Sequence, residues 1–559
     1  MIYKTISIIF LLKFLIHYNI YSQSIYFEDK TKEMNINFKH YNGESGKKYY
    51  TESVGAGCCI IDYNNDNYMD IFFVQGNDHK SELELNSSNR SNILYRNDKK
   101  EFIDVTKEVG LINNDYGIGC TVADYDNDGY QDIFVTNFGN DILYKNLGNG
   151  KFQDVTQLSG ISNNLWSSSS TFFDYDQDGF LDLYITNYVD FNINENPWCG
   201  DEQNNERKYC DPDIFDGIPD VLYKNNGDGT FSDVSFESNI SKHTGKGLGV
   251  VTADFDNDND LDIYVANDKV MNHMFINNGR GVFTEEALFM GVGFNENGKA
   301  EAGMGVDVGD YNNDGWFDLF VTNFSGESNT LYRNEKNGFF TDVTFSSGLG
   351  QPSLDLLSWG TKFVDLDLDG DLDIFVVNGH INENIKYFSS NYYYNQPKQI
   401  FINQGNGKFV EKSNEIGGAI QKKEVSRGTA FSDFDNDGDS DIVISNNNGL
   451  ATLIFNNVKN KNNWIGLHLE GTLTSKDAIG AKIKVSSTTK TQYFYLNGAS
   501  SYLSSNDKRI QVGLGLDSKL NYLEIDWLNN NKPEIYKNFD LNNYYKIIEG
   551  GEKYKISFK

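Results

Sequence analysis

Seven acidic nonapeptides are the part of this sequence whose residue types and spacing can do chemistry. They follow one pattern, D-x-D/N-x-D-x-x-x-D, over Asp62–Asp70, Asp124–Asp132, Asp174–Asp182, Asp254–Asp262, Asp310–Asp318, Asp365–Asp373 and Asp433–Asp441. Positions 1, 3, 5 and 9 bring oxygen donors into one turn of chain. These are Asp62, Asn64, Asp66, Asp70; Asp124, Asp126, Asp128, Asp132; Asp174, Asp176, Asp178, Asp182; and Asp254, Asp256, Asp258, Asp262. The last three loops supply Asp310, Asn312, Asp314, Asp318; Asp365, Asp367, Asp369, Asp373; and Asp433, Asp435, Asp437, Asp441. Position 6 is Gly in five copies and Asn in two, types that tolerate the left-handed backbone needed to wrap a chain around an ion. Hard oxygen donors at this density suit Ca²⁺, with a backbone carbonyl from position 7, whereas Mg²⁺ keeps several waters in a tighter octahedron. None of the loops holds the His or Cys that would draw Zn²⁺. Three or four carboxylates in one turn repel one another without a cation, which separates these loops from plain acidic turns. The expectation is up to seven structural Ca²⁺ sites, with affinities on the order of 10⁻⁴–10⁻³ M as in extracellular modules. Loops 1 and 5 should be weaker, because Asn64 and Asn312 replace a carboxylate.

An EF-hand opens with the same spacing but requires Glu at position 12 and flanking helices. Position 12 here is Phe73, Val135, Ile185, Val265, Val321, Val376 and Ile444, apolar in every copy. That excludes it.

The loops need strands to hold them. Each is followed by a β-branched or aromatic run such as Ile133-Phe134-Val135 or Ile263-Tyr264-Val265, which reads as a buried strand. Five residues before each loop stand Gly57, Gly119, Ser169, Gly249, Gly305, Gly360 and Gly428, a pattern of backbone packed too closely for a side chain. A third element recurs as Leu94-Tyr95-Arg96-Asn97, with relatives ending at Asn146, Asn225, Asn277, Asn334, Asn403 and Asn456. A fourth, Phe-x-Asp-Val-Thr or similar, starts at Phe102, Phe152, Phe231, Phe283, Phe340 and Phe409, and its seventh copy, at Phe27, precedes the first loop. Four short strands in some 50–65 residues are the size of a propeller blade. The displaced Phe27 copy lets strands from the two ends complete one blade, so seven blades close without an exposed edge. An open solenoid would need atypical end repeats.

The chain has 559 residues, with 80 Asp+Glu against 48 Lys+Arg and a net charge of −32. That field opposes binding to a phosphate backbone and excludes nucleic acid as the partner. With 39% hydrophobic and 14% aromatic residues the chain builds a core rather than staying disordered. The nonapeptides hold 29 of the 80 acidic residues, so the charge is concentrated where a cation would sit. Residues 1–22 carry Lys4, an apolar run interrupted by Lys13 and a small-residue exit, which reads as a secretory signal peptide. No other stretch approaches membrane-spanning length. The expected location is secreted or extracytoplasmic (periplasm or cell surface in a bacterium). Export permits disulfides. Cys199 and Cys210 flank a polar insertion that a bridge would staple by about 3 kcal/mol in the chain-entropy model, while Cys58 and Cys120 read as small buried residues.

The DxDxDGxxD loops with LYxN and FxDVT elements resemble FG-GAP/VCBS repeats, as in the integrin α-chain propeller. Ser358-Trp359-Gly360 with Asn378-Gly379-His380, and the insertion from Trp198-Cys199-Gly200 to Tyr209-Cys210-Asp211-Pro212, resemble the CRTAC1/ASPIC–UnbV family of secreted acidic proteins. After the linker Lys459-Asn460-Lys461 come Asn463-Trp464-Ile465, Ala478-Ile479-Gly480-Ala481, Gly513-Leu514-Gly515 and Asp526-Trp527, an order similar to the ASPIC/UnbV domain. Ser475-Lys476-Asp477 stands where that family has Asn-Arg. The resemblance implies an all-β protein: a seven-bladed β-propeller over 25–458, then a small β-sandwich-like ASPIC/UnbV domain over 462–557.

Among the seven histidines there is no HExxH, nor does the chain carry a GxSxG elbow or a phosphate-cradling loop. His380 follows a strand and reads first as a hydrogen-bonded structural histidine, with a place facing the channel or a binding surface as the alternative. Tyr387 and Tyr392-Tyr393-Tyr394 lie in a blade insertion where exposed rings stack on sugars or pack the loop. Three functions fit: a Ca²⁺-stabilised module binding extracellular glycans or proteins, a lyase-like carbohydrate-active enzyme on a propeller, and a scaffold presenting the C-terminal domain. Without a catalytic motif the first is preferred, and the chain is read as a non-enzyme.

Overall fold

A computed structural model describes residues 26–78, 90–528 and 532–558; the signal segment expected over 1–22 lies outside the described residues. The four-element repeat folds as read, each copy forming a four-stranded antiparallel sheet. Blade 2 shows the plan: Gly117–Ala123, Asp132–Asn137, Ile142–Asn146 and Phe152–Asp154, hydrogen-bonded in that order. Its first two strands are buried throughout, as continuous apolar runs require, and the acidic loop joins them. A one-turn helix such as Thr106–Val109 follows several fourth strands.

The described residues form seven such sheets, and the seventh contains both ends of the repeat region. Phe27–Asp29 pairs antiparallel with Thr452–Asn456, Phe27 opposite Asn456 and Asp29 opposite Ile454. The propeller therefore closes by the displaced Phe27 copy. The early glycines sit where the innermost strands crowd the axis. A Cβ on Gly428 would lie 2.6 Å from the Ala56 carbonyl oxygen of the neighbouring blade, so only glycine fits that approach.

The C-terminal chain forms two further four-stranded sheets. One orders Ile510–Gly515, Asn463–Glu470, Asn543–Ile548 and Glu552–Lys555; the other orders Thr491–Tyr495, Lys482–Ser487, Leu520–Asp526 and Glu534–Tyr536. Ile465, Leu467, Ile483, Val485, Val512, Leu523, Ile525 and Trp527 form one core between them, the sandwich arrangement. Among the described residues no helix is long and apolar enough to cross a membrane.

Between Tyr495 and Ile510 the chain leaves this domain and enters the propeller axis. Leu503 accepts from the Cys120 N–H and donates to Ser169 Oγ, Ser501 exchanges two backbone bonds with Val306, and Ser505 accepts from Ile60. The fully buried Tyr502 reaches furthest, its hydroxyl on the Val54 carbonyl and its ring 4.8 Å from that of Trp359. The axis is thus filled by the second domain.

Two disulfides are present, Cys199–Cys210 and Cys59–Cys120. The first is the insertion staple. The second joins the inner strands of blades 1 and 2, so Cys120 is a bridge partner rather than only a small buried residue, and Cys58 is the buried free thiol. Spacing alone could not decide which of two adjacent cysteines faces the neighbouring blade.

Candidate metal centres

Every acidic loop is built the same way. The N–H of position 5 donates to Oδ1 of position 1 and that of position 6 to Oδ2, as Asp128 and Gly129 do to Asp124 at 3.0 and 2.7 Å. Loops 1, 3, 4, 5, 6 and 7 repeat both bonds. Two residues per loop are left-handed. Position 6 was expected; position 4, which is Asn65, Asn127, Gln177, Asn257, Asn313, Leu368 and Asn436, was not. Asn at five of these seven positions was the signal, since Asn adopts that conformation more readily than most residues. Several of these side chains also bridge to the next loop: Asn65 donates to the Gly129 carbonyl, Asn127 to Gly179, and Asn436 to Asn67 across the closure.

Position 9 is buried in all seven copies. One oxygen always accepts from the backbone N–H of the Asn ending the third strand, as Asp182 does from Asn225 at 2.8 Å. The same Asn sends its side-chain amide to the position 2 carbonyl of the preceding blade's loop, Asn225 to Tyr125 and Asn334 to Phe255. The LYxN asparagine thus links an acidic-loop carboxylate to the neighbouring blade.

In five loops one oxygen from each of positions 1, 3 and 9 comes within 4.8 Å of the others: Asp124, Asp126, Asp132; Asp174, Asp176, Asp182; Asp254, Asp256, Asp262; Asp365, Asp367, Asp373; and Asp433, Asp435, Asp441. Loops 1 and 5 lack the third carboxylate, and in loop 1 the Asn64 amide turns to donate to Asp66. The position 5 residues, Asp66, Asp128, Asp178, Asp258, Asp314, Asp369 and Asp437, stand beside these groups, each accepting the N–H of position 7.

Burial pushes the position 9 carboxyls far above the usual range. Burial likewise raises Asp124 to about 8 and Asp174 to about 7, neighbouring carboxylates adding to it. Without a positive partner these acids resist ionisation. Asp126 Oδ1 and Asp176 Oδ1 are buried and take no hydrogen bond among the described residues. A hard-oxygen set with such oxygens facing like charges fits a divalent cation. Lysines already answer part of the charge: Lys145 bridges Asp126 and Asp128, and Lys224 bridges Asp176 and Asp178.

The C-terminal domain sits on this acidic face. Lys482 pairs with Asp254 and Lys490 with Asp371. Tyr544 donates to Asp433, and Arg509 donates to the Asp433 carbonyl and Asn436. Lys476 and Asp477, in the segment that departs from Asn-Arg, bond Asn127 and the Asp124 N–H.

At the other ends of the same strands lies a cavity of about 290 Å³, lined by Tyr50, Tyr188, Asp268, Trp359, His380 and Tyr392 among others. The His380 and Tyr392 rings stack there, centroids 6.2 Å apart. Tyr387 and Tyr393 stay exposed, Tyr387 bonding Asp201.

Two family models match. The FG-GAP-like repeat covers 62–135, 124–185, 211–265, 254–321 and 310–376, and ASPIC and UnbV covers 471–553. Cartilage acidic protein 1 of Homo sapiens is 27% identical over 301 residues, 53% of this chain and 42% of that protein. The Xenopus tropicalis protein is 27% identical over 303 residues, 53% and 44%. The matched stretch spans less than half the length of these curated relatives. Among solved structures, an Agrocybe aegerita lectin described as recognising non-reducing terminal N-acetylglucosamine aligns at 18% identity and TM-score 0.37, over 64% of this chain and 79% of that one. The exotype rhamnogalacturonan lyase YesX aligns at 12% and 0.35, over 72% and 71%. Likeness at these scores carries no functional argument.

Proposed function

Because the chain belongs to the FG-GAP-like repeat family and carries an ASPIC and UnbV domain, we propose that it is an extracytoplasmic, Ca²⁺-stabilised propeller that binds glycans or proteins. The observation that carries this reading is the ring of loops itself: five three-carboxylate groups of one geometry, at matching places in their blades. Positions 1, 3 and 9 would hold the ion, which supplies the positive charge that the lysines beside the loops leave unanswered. Its role is structural, pinning the turn between the two innermost strands of each blade. The ligand is an extracellular glycan or protein, and no reaction is assigned to the chain.

The domain arrangement favours recognition by the opposite face. The acidic face is covered by the C-terminal domain, whose chain fills the axis. A scaffold displaying that domain freely would not bury it in this way.

The test is Ca²⁺ titration by calorimetry, with glycan and protein arrays run in Ca²⁺ and in chelator. Saturable Ca²⁺ uptake and ligand capture lost on chelation are expected. Absence of Ca²⁺ uptake would overturn the structural role of the loops, and silence on both arrays would overturn the binding reading.

A further inference from the structure

The cavity on the face away from the acidic loops is a built site rather than a gap between loops. Its floor is Trp359, Leu248, Met304 and Val54, all buried. It is blind because the C-terminal domain closes the axis beneath it: the Tyr502 ring meets Trp359 from below. Its walls include Tyr50, Tyr188, Phe324, Phe388 and Tyr392. At about 290 Å³ it stands near the lower end of small-molecule sites, roughly 300–1,000 Å³.

Three polar groups converge on it. The Asp268 carboxyl takes one hydrogen bond among the described residues, from the Tyr188 hydroxyl, which is itself 2.7 Å from that of Tyr50. His380 is buried, and its Nδ1 accepts from the Asn382 N–H at 3.0 Å. Burial and then the buried Arg427 guanidinium hold that ring neutral, its pKa lowered to about 3. With Nδ1 an acceptor, the single proton must sit on Nε2. The third group is the half-buried ammonium of Lys208, which stands over the Phe388 ring.

These groups discriminate among ligand classes. An apolar molecule would offer nothing to the imidazole N–H and leave Asp268 with its Tyr188 bond alone. Lys269 is paired with Asp211 and Glu327 with Lys299, so an anion would meet chiefly Asp268 and a cation chiefly Lys208. A polyol satisfies all of them, because each hydroxyl both donates and accepts. A pyranose also presents C–H faces to the aromatic walls.

We propose that this cavity binds one neutral pyranose ring, the terminal residue of a glycan, with Asp268 accepting from its hydroxyls and the His380 Nε2–H and Lys208 donating to them. This rests on the binding-module reading above and narrows it to one site and one ligand class.

The test uses the full chain in Ca²⁺, titrated with methyl glycosides of neutral hexoses and N-acetylhexosamines by saturation-transfer NMR and calorimetry. Methyl hexuronates and choline serve as charged comparisons. At least one neutral glycoside should bind. Asp268→Asn and His380→Gln should each weaken it tenfold or more, and Lys208→Ala and Tyr392→Ala, at the part-exposed rim, should weaken it with melting temperature unchanged. Glycoside binding that survives the rim variants and Asp268→Asn places recognition elsewhere; it overturns the inference and leaves the binding-module reading standing. Preference for hexuronate or choline overturns the ligand class. A chain that captures proteins but no glycoside also refutes the inference alone, whereas a chain that captures nothing refutes both.

Discussion

The side-chain amide of Asn97, in blade 1, donates to the backbone carbonyl of Phe434, in the acidic loop of blade 7, at 2.9 Å. The backbone N–H of Asn97 meanwhile donates to Asp70, position 9 of its own loop. One residue therefore joins the two ends of the repeat region and braces a carboxylate. The other six LYxN asparagines make the same pair of bonds around the ring.

Replacing one of these asparagines should destabilise the ring without touching an acidic-loop carboxylate. Asn225→Ala removes bonds to the Tyr125 and Leu181 carbonyls and leaves buried acceptors unpaired. A loss of about 1–3 kcal/mol is expected in chemical denaturation. A change under about 0.5 kcal/mol would show that the bond is dispensable.

Ca²⁺ should stabilise the fold by mass action. At a free concentration ten times its dissociation constant, each filled site contributes about 1.4 kcal/mol. Chelation should therefore lower the melting temperature by several degrees. Asn64→Asp restores the third carboxylate of loop 1 and should raise the stability gained from Ca²⁺ while lowering stability in chelator. Calorimetric scans of both proteins with and without Ca²⁺ read the difference directly.

The axial segment should hold the propeller as well as its own domain. Tyr502 is fully buried and packs on Trp359, so Tyr502→Ala should cost about 3–5 kcal/mol, the usual range for a large core aromatic. Truncation after Asn457 removes the same contacts, and limited proteolysis should then cut the propeller at a lower temperature. Unchanged protease resistance would mean that the blades close without the plug.

Acid should weaken the fold through histidines. His40 is buried and its Nδ1 accepts from Asn448; burial, with Arg427 nearby, lowers its pKa from 6.5 to about 3. The unfolded chain binds that proton first, so the stability from this residue is whole above pH 6.5 and drains away as pH falls toward 3. Between pH 7 and 5 the loss is about 2 kcal/mol, from 1.36 kcal/mol per pH unit. His40→Gln should flatten this part of the stability–pH curve, measured by urea unfolding at each pH.

The repeat, the ring closure and the acidic loops were legible in the sequence because each is written in local chemistry. Nine residues carry a loop's oxygens and turn formers, and the Phe27 copy announces by its position that the termini share a blade. Position 4 of the loops is equally local, marked by Asn65, Asn127, Asn257, Asn313 and Asn436. The tertiary structure alone decided what meets across hundreds of residues. It set the C-terminal domain on the acidic face, sent Tyr502 up the axis to Trp359, chose Cys59 over Cys58 for the bridge to Cys120, and gathered Asp268, His380 and Lys208 around one cavity. Turn chemistry depends on a residue's immediate neighbours, whereas docking depends on the shape and charge of surfaces that exist only once the ring has closed.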